Sequence, residues 1–321
     1  MTATTSSPTV TRARGNGAGK GTARRMHRRL TSPWATGAAI IIAVLWTIPT
    51  FGLFVSSFRP AADINTSGWW TVFTNPQFTI DNYISTLNFN DTITVGQALI
   101  NSLAITIPAT VFPITLAALA AYAFAWIDFR GRDWVFIAVF AMQVVPIQMA
   151  LVPLLKLYTE GISIGGMQLF SGLDLNLNGL TANYGEVWIS HTIFGLPLCI
   201  FMLHNSIAAL PREMMEAARV DGASHGQIFL RIVLPLTTPA LAAFTIFQFL
   251  WVWNDLLVAT IFTSGNNAPV TKLLVDLSGV YGQQWYLLTA GTFLAIVVPL
   301  IVFFALQRFF VRGLLAGATK G

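Results

Sequence analysis

The feature that most constrains this chain is the length of its apolar blocks. An α-helix needs about 20 largely apolar residues to cross the hydrocarbon core of a bilayer, and six stretches meet that requirement. They lie at about 35–57, 97–126, 134–157, 185–208, 238–263 and 286–310. At that depth no water can satisfy an open backbone, so each block is expected to be a helix. The expected fold class is therefore all-α integral membrane, with six transmembrane helices. Composition agrees: the chain is 55% hydrophobic and 10% charged, against about 25% charged for a soluble domain.

Six crossings put both termini on one side, and the positive charges identify that side. With the termini inside, Arg12, Arg14, Lys20, Arg24, Arg25, Arg28, Arg29, Arg130, Arg132, Arg212, Arg219, Arg231, Arg308, Arg312 and Lys320 all fall inside. Only Arg59, Lys156 and Lys272 fall outside, and eight of the 13 acidic residues do. The expected setting is the cytoplasmic membrane of a bacterial cell, multi-pass, with cytoplasmic termini. The basic pI of about 9.7 is then a topology signal, and no nucleic-acid partner is expected.

Residues 1–32 are rich in Thr, Ser, Gly and Arg and are expected to be a disordered cytoplasmic tail. The tail does not read as a secretory signal, since the apolar run behind it is a full span and no small-residue cleavage site closes it. Arg24–Arg29 can also touch anionic lipid headgroups. The stretch Gly15–Thr22 imitates a phosphate-binding loop, but Arg14 stands at its first glycine position, Gly21 follows the lysine, and no strand precedes it. The single cysteine, Cys199, sits in an apolar run and reads as a buried, inert thiol. No Cys/His cluster has metal-ligand spacing, so no metal site is expected.

The most informative segment is the loop of about 209–235 between the fourth and fifth spans. Its grammar is helix, turn, helix. Pro211 suits a first helical position and Glu213 complements the helix dipole. Arg212 and Glu216 stand four apart, close enough to pair. Gly222 suits a left-handed helix terminator, and Ser224 with Gln227 spells a capping box. The first helix spans about three turns, too few for stability alone in water. It must dock on a partner or on the protein's own cytoplasmic face, with Met214, Ala217 and Ala218 supplying a small apolar surface.

The residues Glu216, Ala217, Ala218, Asp221, Gly222, Leu234 and Pro235, at these spacings, resemble the EAA loop of ATP-binding-cassette importer permeases. Ala223, Phe229 and Pro239 also fit. The resemblance implies that the loop seats a coupling helix in a cleft of a cytoplasmic ATPase dimer. Glu216 would meet a basic residue there, and Gly222 would permit the turn. It also implies that this chain binds no cofactor itself, with ATP and Mg held by the partner ATPase; the sequence offers no nucleotide-binding element of its own. The outer segment of about 58–96 and Trp-Asn-Asp at 253–255 resemble the carbohydrate-uptake permeases, in particular the second permease of maltose and alpha-glucoside transporters. That likeness implies a second permease subunit, an extracytoplasmic sugar-binding protein and a sugar such as maltose, an alpha-glucoside or trehalose. By the same likeness the segment of about 264–284 is a candidate contact for the binding protein. The tail of 313–321 would reach the ATPase interface through Thr319, Lys320 and Gly321; composition alone reads it as a frayed end. Two departures are the long basic tail and an extended outer segment, about 159–184.

Polar residues inside spans are costly and tend to face cavities. Gln248, Trp251, Trp253, Asn254 and Asp255 in the fifth span, with Gln143 in the third, are the candidate substrate path. Aromatic faces suit a pyranose and amides suit hydroxyls; interfacial anchoring and helix packing are the competing roles. Gln148 is a further candidate, while His191 and Asn101 are expected to be satisfied by neighbouring helices. Two other functional readings remain: the same machinery carrying amino acids, peptides or polyamines, and an ion-coupled secondary transporter with Asp255 as its ion site. The second leaves the 216–235 motif unexplained.

Overall fold

The computed structural model describes residues 33–89, 93–172, 184–277 and 284–318. It is helical apart from one small hairpin. Contacts divide the chain into two units, Met1–Leu53 and Phe54–Gly321. In the first, the described residues belong to helix α1 (Pro33–Ser57), which is apolar on every side and runs through Pro49 without a break. Everything below concerns the second unit.

After α1 the chain forms a knot of short elements: α2 (Ala61–Thr66), a 3₁₀ turn at Trp69–Phe73, and α3 (Asp81–Leu87). Arg59 is its hub. Buried to 3% exposure, its guanidinium donates to the Ser67 and Asp63 carbonyls and to the Ser67 and Thr71 hydroxyls at 2.6–3.2 Å. A buried cation needs that many acceptors. Asn82 ties the same turn from the other side, donating to the carbonyls of Ser57 and Arg59.

The bundle is built on α4 (Val95–Trp126) and α7 (Gly185–Ala208). Thr94 caps α4 by accepting the Gln97 N–H. Ala98, Ala109, Ala117 and Ala121 are fully buried along it, and such small side chains let membrane helices approach closely. Two prolines, Pro108 and Pro113, stand inside α4. Each lacks the N–H that would pair with the carbonyl four residues earlier, and each loss is made good by another helix. The Trp188 indole of α7 donates to the Ala104 carbonyl at 2.9 Å, and the Gln248 amide donates to the Ala109 carbonyl at 3.2 Å. In lipid such a rescue is required, because water cannot supply it.

The third span differs from expectation. It was read as one helix over about 134–157, but it is broken: α5 (Arg132–Ala141) continues as a 3₁₀ turn through Val144, and α6 (Ile147–Thr159) departs at 104°. Val145 is extended and Pro146 opens α6. Proline drives the residue before it out of the α region, and Val145 takes that extended conformation. Among the described residues five other helices are long and apolar enough to cross a membrane, which makes six spans when the bent pair is one.

The fifth span is also displaced. The helix opened by Ser224 runs on from His225 without a gap into the span expected from 238, and it ends at Trp253 instead of running to about 263. It comprises α9 (His225–Ile228), a π-helical turn at Phe229–Val233, and α10 (Leu234–Trp253). The wider π turn lies immediately before Pro235 and accommodates its ring. Pro239 frees the Pro235 carbonyl, which accepts the Thr238 hydroxyl at 2.9 Å. Beyond Asn254 the chain bends into α11 (Leu257–Phe262).

Two of the segments expected on the outer side carry more structure than their polarity suggested. Residues 162–170 form an antiparallel pair, β1 (Ile162–Ile164) and β2 (Met167–Phe170), turned by Gly165 and Gly166, both with positive φ. That two-residue turn matches the twist of a hairpin. Within 264–284, α12 (Val270–Leu277) buries Val270, Leu273 and Leu277, an i, i+3, i+7 face packed on α4 and on α13 (Trp285–Ala318).

Candidate functional site

The loop between the fourth and fifth spans folds as its residue pattern requires. Helix α8 (Arg212–Val220) begins after Pro211, which is its N-cap and not its first helical residue. It ends in a Schellman arrangement: Gly222 takes φ +79°, its N–H donates to the Arg219 carbonyl, and the Ala223 N–H donates to the Ala218 carbonyl. Ser224 and Gln227 then form a reciprocal capping box that opens α9. The expected Arg212–Glu216 ion pair is not formed among the described residues, although both side chains border one cleft beside α8.

Helix α8 has two unlike faces. Met215 is 1% exposed and joins a core cluster with Ala118, Tyr122, Leu203, Ile207, Ile228 and Phe229. Met214 and Ala218 are half-buried beside it, whereas Ala217, expected on the same apolar face, is exposed. Glu213, Glu216, Ala217 and Val220 face outward, and Val220 is 87% exposed. Polar bonds tie α8, α9 and the ends of α4 and α7 together. Arg219 donates to the Trp126 carbonyl at 3.1 Å, the Trp126 indole donates to the Ile207 carbonyl at 3.2 Å, and the Tyr122 hydroxyl meets His225 Nδ1 at 2.9 Å. The Trp126 carbonyl ends α4, where helical donors run out, so the Arg219 side chain supplies one. The anchor Met215 and the clamps at Tyr122 and Arg219 were missed in the sequence. The only signal for Met215 is its i, i+3 spacing to Ala218.

Of the remaining motif residues, Asp221 is exposed at the turn. Leu234 is half-buried and Pro235 exposed, both within the continuous helix leading into the membrane. Thr319, Lys320 and Gly321 lie outside the described residues.

The candidate path residues separate into three places. Gln143, Gln248 and Trp251 border one cavity of about 400 Å³, together with Gly195, Ile193 and Pro197 of α7 and the broken turn at Met142–Val145. Trp251, Asn254 and Asp255 border an adjoining cleft. Trp253 does not join them: it is 3% exposed and stacks on Phe249 at 5.8 Å in a packed cluster with Val95 and Leu273. Asn254 donates to the Leu250 carbonyl of its own helix. Asp255 accepts the Ala259 N–H at 3.0 Å, capping α11, and its carboxylate lies 3.7 Å from His191 Nε2. Asn101 is satisfied as expected, donating to the Asn266 and Ala268 carbonyls. His191 is not fully so, since its Nδ1 has no partner among the described residues.

The chain is similar to known transport proteins over nearly its whole length. It is 49% identical over 289 residues to the osmoprotective compounds uptake permease protein GgtD of Synechocystis sp., covering 88% of this chain and 90% of that one. It is 50% identical over 255 residues to the alpha-glucoside transport system permease protein AglG of Rhizobium meliloti, covering 79% of this chain and 63% of that one. Its fold resembles a chain in the crystal structure of a bacterial alginate ABC transporter in complex with an alginate pentasaccharide-bound periplasmic protein. There the TM-score is 0.61 at 16% identity, over 90% of this chain and 98% of that one. A family model, the inner membrane component of binding-protein-dependent transport systems, matches residues 113–315. With that match spanning the α8 loop and the helices behind it, the chain belongs to the family of binding-protein-dependent transport system inner membrane components.

Proposed function

We propose that this chain is the permease subunit through which a sugar of the alpha-glucoside kind enters a bacterial cell, driven by ATP hydrolysed on a separate ATPase dimer. The observation that carries the proposal is the division of α8. One face is locked into the chain's own bundle through Met215, while Glu213, Glu216, Ala217 and Val220 stand free for a second protein. A nine-residue helix held this way moves with the spans behind it, so force applied to the outer stripe reaches α4, α7 and α10. Closure of the ATPase dimer on ATP, which it binds with Mg, would rock the bundle between inward-open and outward-open states; this is the general logic of alternating access. Glu216 pairs with a basic residue of the ATPase, Asp221 and Gly222 form the turn, and Leu234–Pro235 carry the motion into the fifth span. Thr319–Gly321 add a contact at the ATPase interface.

The α8 side and both termini are cytoplasmic in this reading, following the distribution of Lys and Arg. A second permease subunit covers the exposed elbow between α5 and α6, where Val144, Met149 and Val152 are open. An extracytoplasmic sugar-binding protein docks on the opposite side, near the 162–170 hairpin. Sugar as cargo is supported by the relative named for alpha-glucoside transport.

The test is reconstitution of all four components in proteoliposomes, following labelled maltose and ATP hydrolysis together. Uptake is expected only with the ATPase present. Glu216→Arg is expected to leave the permease inserted while cutting sugar-stimulated uptake at least tenfold. Uptake that persists without the ATPase would sink the assignment, and full uptake by Glu216→Arg would remove the role given to α8.

A further inference from the structure

The cavity beside the break in the third span has an unusual lining. None of the described residues bordering it is ionisable. Its volume of about 400 Å³ falls in the range of about 300–1,000 Å³ common for small-molecule sites. One unpartnered acceptor belongs to the residues of its wall, and it is traceable to a proline. Pro113 commits the Gln248 Nε2 group to the Ala109 carbonyl, which leaves Gln248 Oε1 without a partner. Exchanging the amide's oxygen and nitrogen does not help, because the Ala109 carbonyl requires the donor. A fully buried acceptor left open at membrane depth is costly and calls for an explanation.

Gly195 explains how that amide fits. A Cβ at this position would stand 2.8 Å from both Oε1 and Nε2 of Gln248, closer than van der Waals contact allows. The amide end lies in the notch left by the missing side chain. Trp251 borders the cavity on the next turn of the same helix, and Gln143 supplies an exposed amide at its rim.

We infer that Gly195 sets the width of this cavity and, through Gln248, its selectivity for the size of a neutral, hydroxyl-rich ligand. This rests on the reading of the chain as a sugar permease and adds to it a contact made by this subunit. A ligand hydroxyl donates to Gln248 Oε1, which is buried and unpartnered without it, and the Trp251 ring takes an apolar sugar face. The uncharged lining selects against an ionised ligand, whose desolvation nothing here would offset. An added methyl at residue 195 drives the amide off Ala109 and into the cavity, narrowing it.

The experiment measures uptake of maltose and maltotriose by the complete reconstituted complex, with one preparation of binding protein for every variant so that its own selectivity cancels. Gly195→Ala is expected to lower maltotriose uptake about tenfold relative to maltose, the scale of one lost hydrogen bond or a small steric mismatch. In a Pro113→Ala background the Ala109 carbonyl regains a helical N–H, so Gln248→Leu then removes mainly the Oε1 acceptor; KM for both sugars should rise about tenfold. Co-purification of the components verifies assembly. Variants that assemble and keep the original KM and size ratio overturn the inference. Should Gly195→Ala not assemble, Gln143→Ala at the exposed rim decides it, and an unchanged KM overturns it. Uptake of neither sugar by the unsubstituted complex overturns the sugar reading and this inference with it.

Discussion

Met215 and Glu216 are adjacent in sequence and face opposite ways, one into the chain's own core and one toward solvent. Their burial separates two kinds of damage. Met215→Ala removes a buried side chain from the cluster under α8, a change that typically costs about 2–5 kcal/mol. Because that loss falls on a short peripheral helix, it should appear as local opening. Hydrogen exchange across 212–220 is expected to accelerate by roughly thirtyfold, the equivalent of about 2 kcal/mol, with the long spans little changed. Unchanged exchange would mean that Met215 does not anchor the helix. Glu216, being exposed, was legible in the sequence through its motif alone. Met215 was not, because Met214, Ala217 and Ala218 stand beside it as competing apolar side chains, and only the position of α4, α7 and α9 decides which of them is covered.

At the scale of elements, the turn between α8 and α9 depends on two separate devices. Gly222 at φ +79° has open space where a Cβ would stand, so its substitution meets backbone strain and no clash. Gly222→Ala should cost about 1–2 kcal/mol. Ser224→Ala removes one half of the capping box and should cost about 1 kcal/mol. The two changes act on neighbouring peptide units and are expected to be less than additive in exchange protection over 218–228; strict additivity would show that turn and cap act independently. Both devices were readable in the sequence because caps and left-handed turns are local. The break at Val145–Pro146 was not. Prolines 108, 113 and 197 also interrupt helical hydrogen bonding, yet their helices continue; around Pro108 and Pro113 the freed carbonyls meet Trp188 and Gln248.

For the whole molecule, orientation is the property with the widest consequences, and the lone cysteine makes it measurable. Cys199 is fully buried, so the chain is expected to be silent to a membrane-impermeant maleimide. Val220→Cys should then label only from the side on which the ATPase docks, and Ile164→Cys only from the other. In right-side-out vesicles the expected result is rapid modification at 164 and none at 220 until the membrane is opened. Labelling of both from one side would contradict the arrangement drawn from the Lys and Arg distribution.

The sequence by itself determined the elements whose cause is local or compositional. Hydrocarbon cannot satisfy an open backbone, so long apolar runs had to be helices. Glycine and a Ser/Gln pair at set spacing had to turn and cap the chain between 220 and 228. Tertiary structure alone decided which proline breaks a span, which face of α8 is covered, and which polar side chains share a cavity. Trp253 and Trp251 show the reason: two residues apart on one helix, they point about 160° apart. One is packed beside α12 and the other opens onto the break in the third span. Both are tryptophans near the end of one apolar run, and only the neighbouring helices distinguish the wall of a cavity from the inside of a core.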